Sequence, residues 1–318
     1  MTFIKILLAA APMFLIVALG YASRKFSLVS EESEQSIMRL TINLLFPCFI
    51  LSRVPGNESL QQSSVVFAAL GAGAVITIIA IFLAKASAHA LKLTAPEGIN
   101  TFAVASGIQN YGFIPIPLIE ALMPDRAAET VGVLVVHNLG VELVIWTMAI
   151  ILLSGSMQGA WRRLINGPSV AILLGLLLNL SGLHQQIPTF VADTLSRVGA
   201  CAIPMGLILV GVTFAGVIEK GSLKLDLKVI LGSLGLRFLL LPLVILSAAS
   251  LLAFSPVLRE VLIVEAAMPS AVFPIVLAKH FGGKPGVAAE VCLATTLASI
   301  VLTPLVLLLA FQWFEVAI

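Results

Sequence analysis

Two stretches of this chain place polar chemistry inside strongly apolar sequence. Asn110 lies in Ser-Gly-Ile-Gln-Asn-Tyr-Gly-Phe-Ile-Pro-Ile-Pro-Leu (residues 106–118), and Glu265 opens Glu-Ala-Ala-Met-Pro-Ser-Ala-Val-Phe-Pro-Ile-Val (residues 265–276). A carboxamide both donates and accepts hydrogen bonds. Asn110 can therefore hold a carboxylate together with the free amides of a half-helix N-terminus, where the helix dipole favours an anion; its plainer role is to cap broken backbone. Asn138, which follows His137, is a second such amide, and its alternative role is to bond neighbouring helices together. Tyr111, Gln109 and His137 complete the candidate substrate-binding set. Ionisable groups at membrane depth are functional candidates by default. Glu265 suits a proton carrier or pairs with a neighbouring helix, Arg237 neutralises an anion or a carboxylate or snorkels to the membrane edge, and Glu142 joins them as a coupling candidate. Nothing in the pattern suits catalysis: no His-Glu-X-X-His motif occurs and the four histidines are scattered. Cys48, Cys201 and Cys292 lie far apart and read as packing residues, so no metal site and no cofactor is expected.

The elements that must carry these residues are membrane helices. The chain has 318 residues, 59% of them hydrophobic and 11% charged, with mean hydropathy +1.11, too little polar surface for a soluble domain. Apolar runs of about 20 residues predict ten spans: Phe3 to Ala22, Met38 to Val54, Val65 to Ala84, Thr101 to Met123, Val131 to Leu153, Pro168 to Leu183, Phe190 to Val217, Val229 to Ala253, Leu258 to Lys279 and Gly286 to Phe314. A signal-peptide reading of the first run is less apt, because the run exceeds a typical signal core. Proline removes a backbone donor and clashes with the preceding turn. Pro115, Pro117, Pro269 and Pro274 therefore predict unwound backbone in spans 4 and 9, which survives at membrane depth only where protein or a wet cavity covers it. Paired breaks in the two halves of a chain point to the binding site of a secondary transporter.

Three proline pairs repeat at nearly one spacing: Pro12 and Pro168 lie 156 residues apart, Pro47 and Pro204 157, and Pro117 and Pro274 157. They match span 1 with 6, 2 with 7 and 4 with 9. Five spans per half is an odd number, so the halves, residues 1–154 and 168–318, would enter the membrane with opposite polarity. Of the 18 lysines and arginines, 13 fall to the loops after spans 1, 3, 5, 7 and 9, among them Arg162 and Arg163, and 5 to the other side. That excess predicts both termini outside the cytoplasm. A net charge of +2 gives no reason to expect a nucleic-acid partner.

The motifs also resemble a known family. Leu-Gly-Tyr-Ala-Ser-Arg-Lys ends span 1, Asn-Leu-Leu-Phe-Pro-Cys-Phe-Ile-Leu fills span 2, Asn110 precedes Pro117 by seven residues, Leu-Arg-Phe-Leu-Leu-Leu-Pro lies in span 8, and Glu-Ala-Ala-Met-Pro-Ser-Ala-Val precedes Pro274 in span 9. In this order, along nearly the whole chain, they resemble the auxin efflux carrier family of plant PIN carriers and bacterial malate or malonate permeases. Pro115 departs from the glycine-like residue of many relatives. The resemblance implies an all-α polytopic membrane protein of ten transmembrane helices in two inverted five-helix repeats. Spans 1, 2, 6 and 7 would form a scaffold, and spans 3–5 and 8–10 a mobile domain whose broken helices 4 and 9 cross. It further implies a carrier of small organic carboxylates, auxin-like or malate-like, working by elevator movement. Multi-pass residence in a bacterial inner membrane, proton or sodium coupling, and a homodimer through the scaffold helices are further expectations. The alternative is a sodium-coupled organic-anion symporter resembling the bile-acid transporter group, for which Glu265, Gln109 and Asn138 could supply ligands.

Overall fold

A computed structural model describes residues 2–93, 96–156, 161–221 and 223–314, all but the side chains of residues 96, 97, 161 and 162. Residues 157–160 of the loop between the expected repeats, and the Arg162 side chain, lie outside the described residues. The helices are α1 (Phe3–Lys25), α2 (Glu31–Arg53), α3 (Ser63–Ala90), α4 (Pro96–Gly107), α5 (Pro115–Leu122), α6 (Pro124–Ser154), α7 (Gly167–Leu180), α8 (Thr189–Glu219), α9 (Leu227–Leu251), α10 (Pro256–Ala266), α11 (Phe273–His280) and α12 (Pro285–Trp313). No β-strand occurs among the described residues.

Seven of these helices, α1, α2, α3, α6, α8, α9 and α12, are long and apolar enough to cross a membrane. The protein is an integral, multi-pass membrane protein. Three further predicted spans fall on α7, a shorter apolar helix, and on the interrupted pairs α4–α5 and α10–α11. Large apolar side chains such as Leu8, Leu15, Leu19, Leu177 and Leu251 stand exposed, as suits a surface solvated by lipid.

Helix α2 begins seven residues before the predicted span. Ser30 Oγ accepts from the Ser33 amide at 3.1 Å, and Glu31, Glu32 and Glu34 sit in the positive first turn. Hydropathy is blind to this polar start. Pro47 and Pro242 do not break their helices; each follows a π-helical turn, Thr41–Leu45 and Leu236–Leu240. The wider turn gives room to the ring and to the carbonyl that lost its donor.

The heaviest packing falls within two sets of helices, which meet where α12 lies on α1, α5 on α1 and α6 on α2. α1 lies along α8, and α2 packs on both α7 and α8. In the other set α3 packs on α4 and α6, α10 on α6 and α9, and α12 on α4 and α9. The approach of α3 to α6 is closest at two glycines. A Cβ on Gly73 would stand 2.0 Å from the His137 carbonyl oxygen, and one on Gly140 2.0 Å from that of Leu70. Backbone contact of this kind is how apolar helices associate where water supplies no driving force.

Candidate functional site

Between α4 and α5, and again between α10 and α11, the backbone is unwound, and the two unwound segments meet. Gln109 and Ser270 form an antiparallel bridge. The Asn110 amide donates to the Pro269 carbonyl at 2.7 Å, and the Ala271 amide donates to the Ile108 carbonyl at 3.0 Å. Away from water every remaining polar backbone group needs a partner, and side chains of neighbouring helices supply several. Asn138 Nδ2 on α6 donates to the Tyr111 carbonyl at 2.5 Å. Arg237 on α9, fully buried, donates from Nε and Nη2 to the Met268 carbonyl at 3.2 and 2.8 Å. From α12, Thr303 Oγ1 donates to the Ala267 carbonyl at 2.6 Å, and Thr295 Oγ1 accepts from the Ser270 amide at 3.2 Å. Asn110 Oδ1 accepts from the Ile114 amide at 3.3 Å, capping the entry to α5.

The prolines divide the work. Pro115 is the first residue of α5, where a missing amide hydrogen leaves nothing unsatisfied, and Pro117 lies two residues further on. Pro269 lies within the unwound segment and Pro274 is the second residue of α11.

A cavity of about 190 Å³ lies beside the crossing. Its aromatic walls include two edge-on pairs, Phe46 with Phe113 and Trp146 with Phe273, each with ring centroids 5.5 Å apart. Its polar groups are Asn110, Tyr111, Asn138, Glu142 and Asn166. Among the described residues, no lysine, arginine or histidine lines it. With its Oδ1 engaged at Ile114, Asn110 has the two hydrogens of Nδ2 to offer the cavity. Asn138 uses Nδ2 on Tyr111, and its Oδ1 faces His137 Nδ1 at 3.3 Å.

The remaining sequence candidates lie outside the cavity wall. Gln109 and Glu265 are buried neighbours, and Arg237 lies within electrostatic reach of Glu265. His137 is fully buried beside Asn138. Sequence reasoning missed Thr295, Thr303, Asn166 and Ser169. Hydroxyls in apolar helices usually bond their own preceding turn, as Thr77 does with the Gly73 carbonyl at 2.7 Å, so residue type alone does not separate the two uses.

Ion pairs close the two ends of the helix set. At one end Lys220 pairs with Glu31 at 2.6 Å and Arg24 with Glu219 at 3.2 Å. At the other, Arg53 of α2 pairs with Glu120 of α5 at 2.7 Å, and Arg126 pairs with Glu260. Among the described residues no cluster of three or more His, Cys, Asp or Glu is placed to hold a metal ion.

Two unwound segments that meet beside a cavity in a multi-pass membrane protein are the arrangement expected of a transporter. The chain belongs to the membrane transport protein family, which matches residues 5–160 and 156–307 and includes the auxin efflux carriers. It is 26% identical over 302 residues to an uncharacterized transporter of Methanothermobacter thermautotrophicus, covering 91% of this chain and 93% of that one. Two proteins of Oryza sativa subsp. japonica match over shorter stretches. A probable auxin efflux carrier component 3b is 29% identical over 124 residues, 38% of this chain and 21% of the relative, and auxin efflux carrier component 3a is 26% identical over 146 residues, 45% and 23%. The protein is a membrane transporter and not an enzyme.

Proposed function

We propose that the protein carries small organic carboxylates by alternating access, binding them at the crossing of the two unwound segments. The observation that carries this reading is the Asn110 amide, turned to an aromatic cavity at the point where the segments exchange backbone hydrogen bonds. The names of the rice relatives, auxin efflux carriers, support a carboxylate as the cargo class.

In this reading α7 and the pairs α4–α5 and α10–α11 complete ten spans. Helices α1–α6 and α7–α12 are two five-span repeats of opposite polarity, and α1, α2, α7 and α8 form a scaffold against which the other helices move as an elevator. The packing preferences of the two sets support that division. The positive-charge excess orients both termini outside the cytoplasm of a cell membrane. The cavity runs from the crossing along the later half of α2 toward the start of α7, and ion pairs join the two sets at both ends, Arg53 with Glu120 at one and Lys279 with Glu31 at 3.9 Å at the other. A homodimer would form through the scaffold helices. A thermal-shift screen of organic acids, followed by uptake of the hits into proteoliposomes, tests the function. Dependence of that uptake on a sodium gradient would favour a sodium-coupled symporter instead.

A further inference from the structure

Among the described residues, the wall of the cavity beside the crossing holds one carboxylate and no cation. Glu142 of α6 is half-buried, and its Oε2 accepts from Asn166 Nδ2 at 3.2 Å and from Ser169 Oγ at 3.1 Å, both at the start of α7. The unwound segment presents the Tyr111 phenol as the other titratable group of the wall. Helix α2 contributes apolar side chains such as Ile42 and Phe46, and α11 contributes Phe273. His137, Glu265 and Arg237 are fully buried outside the wall. Arg163, whose carbonyl also accepts from Asn166 Nδ2 at 3.2 Å, has its guanidinium over the Phe281 ring, 4.7 Å from the centroid, and is not among the lining residues.

A carboxylate entering this space meets a like charge in a low-dielectric surrounding, with no positive side chain among the described residues of the wall to offset the repulsion. Neutralising Glu142 removes the conflict. We propose that Glu142 takes up one proton for each monocarboxylate bound, which makes binding proton-linked and the site selective for singly charged substrates. This inference rests on the carboxylate-carrier reading above. The proton adds to Oε1, since Oε2 already accepts two hydrogen bonds, so one anion and one proton enter together and the charge of the occupied cavity equals that of the empty one. On release the O–H bond breaks and the proton returns to water with the anion. A dicarboxylate would bring a second charge that nothing in the wall pairs.

The test is binding of butyrate, benzoate and succinate to the purified full chain in nanodiscs at pH 5.5 and 7.5, for the wild type, Glu142→Gln and Glu142→Ala, with melting temperatures as a folding control. For the wild type the monocarboxylates should bind more tightly at pH 5.5, with a loss of up to about tenfold per pH unit above the titration, and succinate should bind more weakly than butyrate. Both variants should bind the monocarboxylates equally at the two pH values. Carboxylate binding that is independent of pH in the wild type, or that keeps its pH slope in folded variants, overturns the role of Glu142 alone. Failure of the wild type to bind any carboxylate at either pH overturns the carrier reading as well.

Discussion

At the scale of single residues, Asn110 is asked to do two things: cap α5 with its oxygen and offer its amide hydrogens to the cavity. Asn110→Ala removes both. Loss of a hydrogen bond to a charged group is worth about 1.5–3 kcal/mol, so carboxylate affinity should fall roughly tenfold to hundredfold, while the lost cap lowers stability by about 1 kcal/mol. Titration calorimetry on the folded variant checks this, and unchanged affinity would remove Asn110 from the site. Arg237 acts on the backbone. Its two donors on the Met268 carbonyl hold the second unwound segment, so Arg237→Met should lower stability by about 1.5–3 kcal/mol, seen as a lower melting temperature in detergent. Glu265 sits near that guanidinium and away from the cavity wall. Glu265→Gln should therefore weaken the fold and leave the pH dependence of uptake intact; loss of that dependence in a stable variant would make Glu265 the coupling group.

At the scale of elements, the contact of α3 with α6 sets where Asn138 and Glu142 stand. Gly73→Ala would drive a methyl group into the His137 carbonyl, and overpacking of this kind is worth about 1–3 kcal/mol, so the variant should melt earlier. Gly71, two residues earlier on α3, has nothing within 4 Å of a built Cβ, and Gly71→Ala should be neutral or slightly stabilising. Equal melting temperatures for the two variants would refute the packing argument. Much of this architecture was legible beforehand, because prolines and hydropathy act through local covalent chemistry and a simple length rule. The breaks around residues 108–114 and 267–272 were readable from Pro115, Pro117, Pro269 and Pro274 for that reason. Which side chains close the breaks was not readable. Thr303 and Thr295 reach the second segment only through the packing of α12, and the separation of Gln109 from its neighbour Asn110, one toward Glu265 and one toward the cavity, depends on the local path of unwound backbone.

At the scale of the whole molecule, the proposed inverted repeat, orientation and movement stand together. Cysteines introduced at the N-terminus and near Arg163 should label from opposite faces of the membrane, with the N-terminus outside; a cytoplasmic N-terminus would reverse the assignment. The central claim is carriage of a small carboxylate through the crossing. It is tested most directly by exchange of a radiolabelled organic acid, chosen by thermal shift, across proteoliposomes holding the wild type or Asn110→Ala in equal amounts. The account predicts saturable exchange by the wild type and a large loss of it in the variant. Exchange of equal rate and affinity in both, or no exchange of any organic acid that binds, would contradict it.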